Sequence, residues 1–200
     1  MDKVRSVIMT QDPHKMFDDW MDEAKKAETD DPTAMALATA SKQAFPCVRM
    51  MLLKGHNEDG FVFYTNLGSR KGHELLENPV ATLLFHWKKL RRQVRIEGPV
   101  ELISDAEADA YFASRARKSQ LGAWASEQSR PLPARDVFEK RIADIEARYE
   151  GKAVPRPSYW TGFRVKPIRM EFWNDREFRL HERELFSLND GRWQSEFLYP

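Results

Sequence analysis

Val80-Ala-Thr-Leu-Leu-Phe-His-Trp87 and Gln93-Val-Arg-Ile-Glu-Gly-Pro-Val-Glu-Leu-Ile103 are the two runs whose reading decides the fold. Both are rich in β-branched, aromatic and aliphatic residues, so each predicts a strand. Gly98-Pro99 interrupts the second run. Proline donates no ladder hydrogen bond and glycine has no side chain to pack, so the pair predicts a bulge or bend. Outward from this pair, residues 34–40 and 48–53 predict buried strands and residues 61–65 another. His56-Asn-Glu-Asp-Gly60 predicts a turn. Residues 168–173 and 177–188 predict a closing hairpin. His86, beside Trp87 at a strand end, reads first as a packed core histidine.

Helices are inserted among these strands. Residues 13–29 carry an apolar stripe of Phe17, Trp20, Met21 and Ala24. Residues 72–77 form a short helix ended by Asn78-Pro79, after a polar loop over 66–71. Ser104-Asp-Ala-Glu107 has the spacing of a capping box and opens another helix. Residues 134–149 place Val137, Phe138, Ile142, Ile145 and Tyr149 on one side. Residues 151–158, with two prolines, form a surface loop. Many closely spaced strands without regular strand–helix alternation predict a mainly β fold with helical additions: an antiparallel, Greek-key-like barrel rather than a doubly wound sheet.

Composition restricts the function classes. Two hundred residues suit one domain able to bury a real core. A net charge of +1 provides no bulk attraction to nucleic acid or to a membrane surface. Cys47 is the one cysteine, which excludes an internal disulfide and fits a cytoplasmic location. Residues 1–12 lack the long apolar run of a signal peptide, and no segment approaches the length of a membrane span. There is no GxGxxG or Walker loop and no Gly-x-Ser-x-Gly elbow. The five histidines and Cys47 do not have the spacing of metal ligands, so no metal is expected.

Several short constellations are suited to chemistry. In Arg179-Leu180-His181-Glu182-Arg183, following Phe172-Trp173, an extended strand would point Arg179, His181 and Arg183 to one side. Such a row either meets an anionic or π-rich ligand or protects an exposed edge by charge. Gly68-Ser69-Arg70-Lys71 offers an N-cap at Ser69 with two cations in the first helical turn. That is an anion site if not a solvated turn. Arg49-Met50-Met51-Leu52-Leu53-Lys54 brackets four apolar residues with two cations. Five positions apart, they face opposite sides of a regular strand, so they need a strand end or bulge to share a ligand, or else serve different anions. Tyr111, Arg115 and Ser119, spaced four apart, suit a phosphate if the helix runs that far, and otherwise form an exposed helix face. Gln93 and Gln128-Ser129 supply groups able to read a heterocycle edge.

Taken together, these segments resemble the pyridoxamine 5′-phosphate oxidase family over about residues 12–193. The matching motifs are Arg49-Met-Met-Leu-Leu-Lys54, Phe63-Tyr-Thr-Asn-Leu-Gly-Ser-Arg-Lys71, Arg92-Gln93-Val94, Ser119-Gln-Leu-Gly-Ala-Trp124, Gln128-Ser129, Gly162-Phe163-Arg164 and Arg179-Leu-His181. The resemblance implies a split β-barrel, a homodimer, and flavin mononucleotide (FMN) bound at the dimer interface. It implies one domain over residues 1–200, with a helical segment over 1–30 and a hairpin over about 160–200 that contributes to active site and dimer. The implied reaction converts pyridoxamine 5′-phosphate and pyridoxine 5′-phosphate to pyridoxal 5′-phosphate by hydride transfer to flavin N5. O2 is the electron acceptor and H2O2 the product. By this resemblance Arg49, Met50, Leu52, Leu53, Tyr64, Thr65, Arg70, Lys71, Gln93, Gln128, Ser129, Trp173 and Arg183 hold the flavin. Lys54, Tyr111, Arg115 and Ser119 hold the substrate phosphate. Arg179 and His181 contact the substrate ring and are the catalytic pair. Arg179 orients and polarises rather than acting as a base, because arginine stays protonated.

Two departures from the family pattern stand out. Family members often carry a longer N-terminal arm whose Arg and Tyr cover the substrate, and no matching Arg-x-x-Tyr precedes Asp12. The end, Phe197-Leu-Tyr-Pro200, replaces the more usual Arg-Leu-x-Pro. Two other functions compete: an oxidase of the phenazine-biosynthesis type with the same flavin residues, and a non-catalytic flavin- or pyridoxal-phosphate-binding protein. Lys54, Tyr111, Arg115 and Ser119 argue against the first, and Arg179 with His181 against the second.

Overall fold

The computed structural model describes residues 12–200. The expectations for residues 1–11, that they carry neither a leader nor a substrate-covering arm, lie outside the described residues. Helix α1 (Pro13–Ala27) starts where Asp12 accepts the His14 N–H at 2.9 Å and where proline has no N–H to leave unpaired. Phe17, Met21 and Ala24 bury the expected stripe. Trp20 stays half exposed, edge-on to Phe172 and carrying the Arg92 guanidinium 4.5 Å over its ring.

The strands are β1 (Ala34–Ala40), β2 (Pro46–Leu52), β3 (Gly55–Asn57), β4 (Gly60–Asn66), β5 (Val80–Trp87), β6 (Arg92–Leu102), β7 (Trp160–Val165), β8 (Arg169–Asn174), β9 (Glu182–Asn189) and β10 (Arg192–Leu198). All pair antiparallel, in the order β10-β9-β8-β6-β5-β1-β2, with β3, β4 and β7 branching from β6. The branch occurs at the expected bend. Residues 92–97 of β6 pair with β8, whereas residues 100–102 pair with β7. Pairing to β5 continues through Gly98 and Pro99, so the strand bends without breaking. A Cβ at Gly98 would overlap the Lys166 carbonyl, so glycine alone lets the β7–β8 link cross there.

Met35, Leu37, Leu83, Phe85, Val94, Ile96, Met170, Phe172 and Phe186 form the inner face of the main sheet, packed on Phe17, Phe61 and Phe63. The alternate residues form an outer face. Two expectations change here. Residues 48–53 are not a buried strand: β2 is an edge, with Val48 and Met50 each 66% exposed. His86 is exposed, because its neighbours Phe85 and Trp87 take the two inward positions and alternation turns the imidazole outward.

The helices follow their caps. Ser69 accepts from Gly72 N–H and opens α2 (Arg70–Glu77), and Ser104 accepts from Glu107 N–H and opens α3 (Asp105–Ser114). Glu107 does not close the reciprocal half of the box, since its carboxylate is taken by Arg164 at 3.0 and 3.1 Å. α3 ends at Ser114 and α4 (Arg117–Ala125) begins after an extended Arg115. Tyr111, Arg115 and Ser119 therefore do not share one helix. α5 (Arg135–Arg148) buries none of its own residues; only Tyr149, beyond its end, is buried. β7, β10 and α4 were not anticipated. β7 is buried on both faces and shows no alternation. β10 buries nothing, and α4 lacks a side-chain cap.

The expected strand over 177–188 starts only at Glu182. Phe178 and Arg179 have φ of 56° and 63°, and Leu180 N–H bonds Glu177 O at 3.1 Å to close a single turn. Arg179, His181 and Arg183 are thus not one row of a strand.

Gly98→Ala should force β6 away from the β7–β8 link and cost roughly 3 kcal/mol, the upper range for overpacking. Urea denaturation of the variant checks this, and an unchanged midpoint would contradict the role of Gly98.

Candidate active site

A cavity of about 530 Å³ opens between the end of β2, β4 and the α3–α4 junction. Met50, Leu52, Lys54, Tyr64, Thr65, Tyr111, Arg115, Ser119 and Gln128 line it. Three flat rings build one wall. Tyr64 stacks on Tyr111 at 3.9 Å and 13°, and on Trp160 at 5.2 Å and 10°. Burial pushes the Tyr64 phenol up to about 12, with Glu107 adding to the shift, and raises Tyr111 as well. Both phenols therefore remain protonated donors at neutral pH.

Two buried or half-buried cations around this cavity lack a carboxylate among the described residues, and exposed Lys54 is a third without one. Arg115 is held over the Trp160 ring at 4.6 Å, and its buried Nη1 has no hydrogen-bond partner. Burial pulls its pKa down from the ordinary value without discharging it. An orphaned, buried guanidinium N–H is costly, which makes this a place for an anion. The break between α3 and α4 turns Arg115 toward Tyr111 and Ser119, so the trio converges although no common helix carries it.

Lys71 is the second. Its ammonium lies 3.1 Å from Thr65 Oγ1, 3.1 Å from Gln128 Oε1 and 3.4 Å from Ser69 Oγ, and the residue is only 6% exposed. Burial, helped by the positive Arg49, lowers it to about 8. Three neutral oxygens solvate the charge but do not neutralise it. Lys71 stands in the first turn of α2, where the helix dipole adds to the positive potential. The two neighbouring arginines are already engaged. Buried Glu74 accepts from Arg49 Nη2 at 3.2 Å and from Arg70 Nε at 2.8 Å, and despite burial the Thr39 hydroxyl, with these two ion pairs, holds its carboxyl below the ordinary range. Sequence reasoning missed Glu74 and Trp160; a carboxylate four residues after Arg70 on a short helix was the available signal for the former.

The remaining residues separate. Lys54 lies just past the end of β2 and lines the cavity, while Arg49 sits on the inner sheet face opposite Leu37, so the strand end sets the two cations apart. The Leu53 side chain belongs to the core and lines no part of the cavity. Ser129 is exposed with φ of 72°, beside Gln128. None of Gln93, Trp173, Arg179, His181 and Arg183 lines the cavity. Gln93, Trp173 and Arg183 are mutual cross-strand partners on β6, β8 and β9, between the inward Val94, Phe172 and Phe186. They therefore occupy the outer sheet face, and Gln93 does not meet Gln128 within one chain. Arg183 donates from Nε to buried Glu171 at 2.8 Å, and Glu171 also holds Arg95. His181 lies 4.6 Å from Trp173, ring to ring, and Arg179 is exposed on the preceding turn. Among the described residues no His/Cys/Asp/Glu group has the arrangement of a metal site, and no helix is long and apolar enough to cross a membrane.

The family model described as pyridoxamine 5′-phosphate oxidase matches residues 21–149. The chain belongs to this family. The pyridoxine 5′-phosphate oxidase C-terminal dimerisation region matches residues 160–200. A pyridoxine/pyridoxamine 5′-phosphate oxidase of Zymomonas mobilis is 93% identical over 96% of this chain and all of its own length. One from Sphingopyxis alaskensis is 57% identical over 99% of this chain and 92% of its own. Among solved structures, PhzG from Burkholderia lata, in complex with tetrahydrophenazine-1-carboxylic acid, is 29% identical with a TM-score of 0.91, covering 100% of this chain and 98% of that one. A pyridoxamine 5′-phosphate oxidase-related, FMN-binding protein of Nostoc punctiforme shares the fold, with a TM-score of 0.76 at 19% identity over 96% of this chain and 100% of its own.

The Lys71 environment makes a signed prediction. In protein stripped of bound anions, Lys71 releases its proton at about 8, whereas the unfolded chain holds it to 10.5. Between these values the unfolded state binds the extra proton, so stability rises with pH. Lys71→Met should lose that part of the rise in denaturation midpoint. Equal slopes in both proteins would contradict the assignment.

Proposed function

We propose that this chain is an FMN-dependent oxidase that converts pyridoxamine 5′-phosphate and pyridoxine 5′-phosphate to pyridoxal 5′-phosphate. The observation that carries the reading is the pair of uncompensated cations, Lys71 and Arg115, around one aromatic-walled cavity. Flavin mononucleotide and the substrate each bring one phosphate, and the two cations give each phosphate a place. Lys71, Arg49, Arg70, Thr65 and Gln128, with Ser129 beside it, would hold the cofactor phosphate end. Tyr64 and the chain around Met50, Leu52 and Leu53 would flank its remainder. Lys54, Tyr111, Arg115 and Ser119 would hold the substrate phosphate. When bound, the flavin supplies the hydride acceptor, and O2 takes the electrons on to H2O2.

The protein's part is placement. Arg115, already fixed over Trp160, offers paired donors without reordering a flexible side chain. Gln93, Trp173 and Arg183 would complete the flavin site from the partner of a homodimer, because within one chain they face away from Lys71. The same outer face exposes Val48 and Met50 beside the alanines of β1, an apolar surface suited to a second copy. Arg179 and His181, next to Trp173, would then meet the substrate ring over the partner-facing side. In this reading the chain is one flavin-binding domain whose C-terminal strands serve both site and dimer. A cytoplasmic location belongs to the same proposal, supported by Cys47 being the one cysteine. The four phosphate-binding residues favour it over a phenazine-type substrate.

Purified protein should be yellow and oxidise pyridoxine 5′-phosphate and pyridoxamine 5′-phosphate with release of peroxide; flavin-loaded protein that turns over neither contradicts the proposal. Lys71→Ala should weaken FMN binding by about 1.5–3 kcal/mol through the lost charge-assisted contact, measured by flavin fluorescence titration. Arg115→Ala should raise KM about tenfold or more with flavin content intact, while Arg179→Ala lowers kcat. Steady-state kinetics showing the reverse split would overturn the division of roles.

A further inference from the structure

His181 lies between two groups that make opposite demands on its Nδ1. The Arg176 backbone N–H points at Nδ1 from 3.3 Å and asks for a lone pair there. The Asp175 carboxylate lies 2.9 Å from the same nitrogen and asks for a proton. Only one demand can be met by the neutral ring, and the choice decides what Nε2 presents.

The surroundings favour the carboxylate. Asp175 is a fixed anion: Arg91 donates to its Oδ2 from Nε at 2.7 Å and contacts it again through Nη2, and the Asp175 N–H bonds the Arg91 carbonyl at 3.0 Å. Arg91 takes φ of 54° to make this double connection. The Arg91 hydrogen bond, with the Arg91 charge behind it, holds the Asp175 carboxyl below its ordinary range. The Arg176 N–H also lies against that carboxylate, so it keeps an acceptor when Nδ1 carries the proton. Arg176 is paired away from the ring with Glu182 at 2.6 Å, Glu177 and Arg179 are exposed on the turn, and Trp173 lies against the ring at 4.6 Å. An unprotonated Nδ1 would set a lone pair against a carboxylate, whereas a protonated one gains a charge-assisted contact, about twice as strong as a neutral hydrogen bond.

We propose that Asp175, clamped by Arg91, is a positioning residue that keeps the proton of neutral His181 on Nδ1 and so presents Nε2 to the substrate as an acceptor. The functional half rests on the reading of His181 as a substrate contact. The tautomer does not, and it is measurable without turnover.

The test is the nitrogen-15 spectrum of the imidazoles in the flavin-loaded protein, recorded with the ring neutral. Wild type should show His181 with hydrogen on Nδ1. Asp175→Ala leaves the Arg176 N–H as the remaining Nδ1 partner and should move the hydrogen to Nε2. Should that variant not fold, Asp175→Asn removes the charge with the shape kept and should reduce the Nδ1–H population. An Nε2–H wild type, or a variant with the wild-type population, overturns the proposal. With pyridoxine 5′-phosphate as substrate, Asp175→Ala should lower kcat about tenfold at unchanged flavin content. A wild-type kcat together with a shifted tautomer would refute the catalytic half alone, and wild-type protein without turnover would count against the proposed function instead.

Discussion

One strand holds both the cavity and the outer-face cluster in place. β6 changes partner at Gly98, from β8 on one side of the bend to β7 on the other, while staying paired to β5 throughout. The first half of the strand carries Gln93 with Trp173 and Arg183 on the outer sheet face. The second half holds β7, and through it β4, which supplies Tyr64 and Thr65 to the cavity. The close approach at Gly98 therefore fixes the relation between an outward cluster and a cavity that opens at the sheet's edge. A rigid antiparallel frame suits a site that must keep two rings and two phosphates in register.

The electrostatics are consistent with that division. Among the described residues, every well-buried carboxylate already serves arginines: Glu74 binds Arg49 and Arg70, and Glu171 binds Arg95 and Arg183. These pairs hold guanidinium groups in fixed positions. Lys71 and Arg115 are treated differently, with neutral oxygens around one and an aromatic face beneath the other. Leaving two partly or fully buried cations uncompensated is costly to the folded chain unless anions arrive to pair with them. Folding thus leaves charge in place that the proposed phosphates would use.

Much of this was legible in the sequence where local chemistry decides structure. The Ser69 and Ser104 caps, the α1 stripe and the alternation of β5 each follow from neighbouring residues, and so does the Gly98-Pro99 bend. What failed depended on distant contacts. β2 reads as a buried strand from its hydrophobicity, yet its place at the sheet edge exposes it. β7 carries glycine and arginine inside a strand buried by β4 and β6. The row expected of Arg179, His181 and Arg183 was lost to two left-handed residues that no β-propensity anticipates. For the site, the motif resemblance collected residues that local spacing could not. It did not reveal that they fall into two groups on different faces of the sheet, because that follows from register.

In the proposed dimer each flavin site takes Lys71 from one chain and Arg183 from the other. Mixed dimers test it most directly. Lys71→Ala and Arg183→Ala proteins, each made defective in flavin binding, would be unfolded together and refolded as a mixture. If the sites are shared, half of the dimers are hybrids, and each hybrid holds one doubly altered site and one wild-type site. About a quarter of all sites should then bind FMN and turn over with wild-type affinity. If both residues serve the same site from one chain, no wild-type site can form, and the absence of any recovered tight binding would contradict the account.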